Sequence, residues 1–227
     1  QTHRWIPISF LSRTPALRIS DIQAIAAMLY PDGSGEDQFW VSQARNAFLA
    51  FSLGLFEGYD HAQKLGAPAS LLNVPTLGAI FRLSSGDGTE LKPYLEGLSQ
   101  KSFLSSEAKI AFAGLLSQED RTFSSILGFF RGPLNPFISP IMDAATSDND
   151  FSLRDVRRKR MTVYLVIPPH KLGECRVLVN LFFSQLINEN TLHLPQTDAT
   201  LKRQCLMLLD EFTAIGRVDK LADSITH

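Results

Sequence analysis

The hydrophobic periodicity of this sequence switches once, near Asp150, and that switch limits the architectures open to it. Before it, apolar residues recur at helical spacing. Ser20 and Gln23 read as a capping box, followed by Ile22, Ile25, Ala26 and Leu29. Pro31-Asp32-Gly33 stops that helix. A long helix is expected from about Asp37 to Tyr59, with Trp40, Ala44, Ala47, Phe48, Phe51 and Leu55 on its apolar face. At this spacing Trp40, Phe48 and Phe51 are expected in a core. Helices are also expected from Val74 to Leu83, around Leu91, Leu95 and Leu98, and from Ser106 to Leu116. Phe123, Ile126, Leu127 and Phe130 complete the pattern at i, i+3, i+4 and i+7.

After Asp150 the pattern is of another kind. A basic run, Arg154, Arg157, Arg158, Lys159 and Arg160, leads into Met161 to Ile167, apolar on both faces as a buried parallel strand would be. Pro168 and Pro169 end it. A helix is expected from Leu172 to Asn188, with Gln185 as a satisfied buried amide, and then a second buried strand from Cys205 to Leu209. Strand, helix and strand in this order predict a βαβ unit and a parallel sheet.

The protein has 227 residues, enough for one large domain or two small ones. Its formal net charge of -1 leaves no global footprint for nucleic acid, so any DNA contact has to be local, with the basic run as its candidate. Cys175 and Cys205 form no CxxC pair and no histidine cluster accompanies them, so two buried, reduced thiols are expected rather than a metal site. No apolar run reaches the roughly 18 residues that span a bilayer.

The second apolar run ends in Asp210-Glu211, a Walker B pattern. A buried strand delivers its last residues to the edge of the sheet where ligands of open α/β sheets bind. Asp210 can there hold Mg²⁺ through water, and Glu211 can polarise an attacking water beside a γ-phosphate. By itself the pattern is also that of a plain strand end with solvated acids. The partner motif GxxxxGK[ST] is absent: Ser85-Gly86-Asp87-Gly88-Thr89 has no lysine in place and follows no strand.

Longer stretches carry a resemblance. Residues 142–155, Arg160 to Pro169, Leu178 to Asn188 and Leu208 to Gly216 are similar to the TraG/VirD4-type coupling proteins of type IV secretion and conjugation. His3-Arg4-Trp5 followed by Pro7 is also similar, although Ile6 stands where that family often has Asn. The resemblance is dense over Arg121 to Asp219 and thin over the helical part.

It implies an α/β fold: a RecA-like P-loop NTPase core, partial here and built on a parallel sheet, with an inserted all-α domain. The expected boundaries are 1–19 and 146–227 for the nucleotide-binding domain and 20–145 for the all-α insertion. The parent is implied to be an ATP-dependent motor that recruits relaxase–DNA or protein substrates to the secretion channel. It would be a homo-hexamer on the cytoplasmic face of the bacterial inner membrane, anchored by N-terminal helices. Asp210 carries over as the residue that binds Mg-ATP, and Glu211 as the catalytic one. Apart from the resemblance, Arg157, Arg158, Lys159 and Arg160 are DNA-contact candidates by their charge, the alternative being a solvated strand entrance. By their position just past Asp210-Glu211, Thr213 and Arg217 are candidates for coupling nucleotide state to movement, and Arg217 reads either as a trans-acting arginine or as a solvated surface residue.

Both ends of the sequence are expected to be cuts, with Walker A before Gln1. The piece alone is then expected to be inactive as an ATPase. The alternative reading is a non-catalytic docking module that binds secretion-signal peptides.

Overall fold

The computed structural model describes residues 3–210 apart from Ser34 and Glu36. The protein divides into two units, Ile8–Ser147 and a second made of Gln1–Pro7 with Asp148–His227.

The first unit is all helix. Helix α1 (Pro15–Leu29) starts on a proline, whose missing N–H costs nothing at a helix N-terminus. The capping box expected at Ser20 is therefore not formed: Ser20 lies inside the helix and its hydroxyl donates back to the Leu17 carbonyl. Helix α2 (Asp37–Lys64) runs a turn longer than its apolar pattern predicts. Asp37 in its first turn and His61 and Lys64 in its last complement the helix dipole. Gly66, at φ 74°, ends it in a Schellman turn, with the Ala67 N–H on the Ala62 carbonyl and the Gly66 N–H on Gln63.

Four shorter helices follow: α3 (Leu77–Leu83), α5 (Ser106–Leu116) and α6 (Asp120–Arg131) pack on α2, and α4 (Leu91–Ser99) packs on α5. Thr76 caps α3 and Ser105 caps α5 through their hydroxyls. Glu57 of α2 accepts from both the Ser105 N–H and its hydroxyl, each at 2.7 Å, which pins the α5 N-terminus to the central helix. A 3-10 segment, Gly132–Ile138, leads to the short α7 (Pro140–Ala145).

The core is aromatic. Phe51 of α2 meets Phe112 of α5 edge-on at 6.0 Å and Phe130 of α6 at 5.1 Å. Phe48 and Phe51 are fully buried as expected, while Trp40 is only half-buried. Tyr30 closes the α1 end, its hydroxyl donating to the Phe130 carbonyl at 2.7 Å. Two arginines from the start of the unit, Arg13 and the buried Arg18, share the Asp60 carboxylate of α2 at 3.0 and 2.8 Å. Arg18 also donates to the Ser12 and Arg13 carbonyls, so the irregular segment before α1 is tied down by one guanidinium.

The second unit joins the two ends of the sequence. The Arg4 N–H donates to the Asp150 carboxylate at 2.7 Å, its guanidinium adds a bond at 2.9 Å, and the Asp150 N–H returns one to the Arg4 carbonyl at 3.0 Å. The Ile6 N–H donates to the Asn149 side-group oxygen at 2.8 Å. Helix α8 (Leu172–Thr191) packs on this clasp: Trp5 sits edge-on to Phe182 at 5.2 Å, and the buried Gln185 amide donates to the Pro7 carbonyl.

The expected α/β fold, a RecA-like parallel sheet, is overturned: no strand forms among the described residues. The runs 161–167 and 205–209 are extended backbone without ladder partners. In the first run exposure alternates with a period of two, 83% for Tyr164 and Val166 against 36% and 39% for Val163 and Leu165. The pleat that β-branched and apolar residues favour is therefore present, but a strand also needs a neighbour to take its N–H and C=O groups, and neither run has one here.

Candidate functional site

The residues singled out by sequence fall in the second unit. The basic run occupies the turns before 161–167, and the structure spends most of its charge internally. Arg154 forms an ion pair with Glu189 of α8. The Arg157 guanidinium donates to the Asn190 and His193 carbonyls at the end of that helix and just past it. Arg158 pairs with Asp198 at 2.9 Å and bonds the Thr200 hydroxyl at 3.0 Å. Lys159 pairs with Asp155 at 2.8 Å, one helical turn back. Arg160 is exposed and makes no ion pair among the described residues.

Asp198 anchors this arrangement. Its carboxyl is held down at about 2, first by the Thr200 hydroxyl at 2.6 Å, then by the Thr200 N–H and Arg158. The turn brings Lys202 and Arg203 alongside the run, with the Arg203 N–H on the Arg157 carbonyl at 3.0 Å. Sequence reading missed these two cations. They stand apart from the basic run in the sequence, and only the Asp198–Thr200 turn, readable as Asp-x-Thr, hints that the backbone doubles back.

Asp210 is the last described residue and is exposed in a turn. Leu206 and Leu208 before it are each 89% exposed, so the run that carries Asp210 is not buried here. Glu211, Thr213 and Arg217 lie outside the described residues. The Gly86–Gly88 segment is a tight turn after α3, in which Asp87 accepts from the Thr89 N–H and hydroxyl. The expectation of two buried cysteines fails: Cys175 is half-exposed and Cys205 exposed, and both are free thiols. Among the described residues no group of three metal-ligating residues converges, and no helix is long and apolar enough to cross a membrane.

In the sequence the helical unit lies between the two stretches, 1–7 and 148–227, that make up the second unit, and the apolar run 205–209 is followed by Asp210. The protein belongs to the type IV secretory system conjugative DNA transfer family, which it matches over residues 1–227. It is 29% identical to protein VirD4 of Rhizobium radiobacter over its whole length, covering 30% of that protein. It is equally similar to protein VirD4 of Agrobacterium fabrum, covering 31% of it. The conjugal transfer protein TraG of Escherichia coli is 22% identical over 97% of this sequence, which covers 35% of that protein. The sequence thus spans about a third of the length of these curated relatives. Among solved structures, the plasmid coupling protein TrwB in complex with the GTP analogue GDPNP aligns over 99% of this protein and 46% of its own length, with a TM-score of 0.54 and 21% identity.

Proposed function

We propose that this protein is part of a nucleotide-driven coupling protein that brings a relaxase–DNA complex, or the tails of effector proteins, to a type IV secretion channel. The observation that carries this reading is the family match over the whole sequence. TrwB, the structural neighbour, was solved with a non-hydrolysable GTP analogue, which supports nucleotide use in the parent. In this reading Asp210 holds Mg-ATP through the metal's water and Glu211 activates the hydrolytic water. Thr213 and Arg217 follow closely enough to relay nucleotide state. The parent works as a homo-hexamer on the cytoplasmic face of the inner membrane.

The basic run takes a narrower role than its composition suggests. Arg160 is open to a DNA phosphate. Arg157, Arg158 and Lys159 reach DNA only in competition with the partners they already hold.

A second reading, that this piece acts as a docking module, is favoured by one observation: the helical unit has its own aromatic core. Both readings hold together if the helical unit docks cargo while Asp210 and Glu211 serve the motor. The substitution Glu211→Gln tests the division. In the full-length protein ATP turnover is expected to fall by about a hundredfold or more, while cargo-peptide binding by the 227-residue piece stays unchanged. An equal loss of peptide binding would sink it.

A further inference from the structure

The run 161–167 carries no charge, no glycine and no proline, and five of its seven residues, Thr162, Val163, Tyr164, Val166 and Ile167, are β-branched or aromatic. Such residues fill strands, and neutral segments of this length pair readily with copies of themselves. The backbone here is already extended, yet none of its N–H or C=O groups bonds another described residue. Thr162, Tyr164 and Val166 share one face of the pleat, and the last two are each 83% exposed. An unpaired, apolar, pre-extended edge is a template for another strand. The other extended run, 205–209, is a weaker template: it is shorter, rich in leucine and runs into Asp210.

Charge decides which strand fits. Arg157, Arg158, Lys159 and Arg160 stand just before the run, and Pro168 and Pro169 just after it. A parallel pairing of two copies sets these cations against their own counterparts, which repels. An antiparallel pairing about a two-fold axis at Tyr164 separates them. Tyr164 then faces Tyr164, Val163 faces Leu165, Thr162 faces Val166 and Met161 faces Ile167. Arg160 falls opposite Pro168, which has no N–H to continue a ladder, so the pairing stops where the charge begins. Sliding by two residues sets either Arg160 opposite Val166 or a proline opposite Thr162, so one register is favoured.

We propose that two copies of this protein join through the run 161–167 as a two-stranded antiparallel ladder centred on Tyr164. The ladder takes up N–H and C=O groups that neither copy pairs by itself, and it draws Tyr164 and Val166 of one copy against Tyr164 and Thr162 of the other. A closed two-fold contact of this kind uses the same patch on both copies. Two strands alone are marginal, so the association is weak and grows with concentration.

The test uses the whole 227-residue protein. Sedimentation velocity is expected to show a monomer–dimer equilibrium. Tyr164→Lys sets two like charges face to face and is expected to weaken it roughly tenfold. Tyr164 is exposed, so the helical circular dichroism of that variant should be unchanged. The direction of pairing is read by disulfide trapping with copper phenanthroline, after the two free thiols are removed by Cys175→Ser and Cys205→Ser. In that background Tyr164→Cys is expected to trap a covalent dimer. Thr162→Cys is expected to trap none, because its two thiols would stand about 13 Å apart along the ladder. Trapping at both positions would make the ladder parallel and overturn the two-fold arrangement. A protein that stays monomeric up to its solubility limit, one that forms polymers and no dimer, or a dimer untouched by Tyr164→Lys would each overturn the pairing itself.

Discussion

Single residues fasten this protein at points where the backbone alone would leave groups unpaired. Tyr30 is the clearest. Burial pushes its phenol far above the usual range, so the ring stays protonated and its hydroxyl serves the Phe130 carbonyl. Tyr30→Phe keeps the ring packing and strands that carbonyl. The expected cost is about 1–2 kcal/mol of stability, read as a lower denaturant midpoint at unchanged slope. Asp198 works by charge. Its carboxyl is depressed to about 2, below the ordinary 3.8, so its ionised form favours the folded state fully above about pH 4. That contribution is lost as the pH falls through 2. Thr200→Val removes the strongest of its hydrogen bonds, and the carboxyl should then titrate closer to its ordinary value, as followed by the Asp198 carboxyl carbon shift in NMR.

At the scale of elements, helix α2 organises everything around it, and it approaches a neighbour closely at Gly54. A Cβ there would stand 3.0 Å from the buried Phe112 ring of α5. Alanine would favour the helix by roughly 1 kcal/mol, but overpacking costs about 1–3 kcal/mol. Gly54→Ala is therefore expected to destabilise the unit or leave it no more stable, and a gain in melting temperature would show that α5 shifts freely. The pattern Phe123, Ile126, Leu127 and Phe130 was legible because one buried face is enough to define a helix such as α6. The strand-like runs 161–167 and 205–209 were legible only as extended backbone. Alternation sets the pleat, whereas a ladder depends on a second segment that the run itself does not encode. The Glu57 clamp on Ser105 and the early start of α1 at Pro15 escaped for related reasons: one joins residues distant in the sequence, and the other is a local signal that outranked a weaker one at Ser20.

Across the whole molecule, burial is unevenly shared. The largest fully buried residues among those described, Phe48, Phe51, Phe112 and Phe130 among them, all lie between Ile8 and Phe137. A polypeptide of residues 8–147 is expected to fold alone, with helical circular dichroism and one cooperative thermal transition. Loss of that cooperativity would mean the core borrows from outside. Of the candidate residues, the basic run could be read from sequence because it is contiguous, whereas its partners Glu189, Asn190 and Asp198 could not, because they lie 33 to 40 residues away.

The clasp of Arg4 and Ile6 with Asn149 and Asp150 has a further consequence. The helical unit departs from and rejoins the rest of the sequence at a single doorway, held shut by bonds that involve none of its own residues. Such a unit can be exchanged like a cartridge. A foreign helical segment spliced between Pro7 and Asp148 would leave every partner of that clasp, Arg4, Ile6, Asn149 and Asp150, in place.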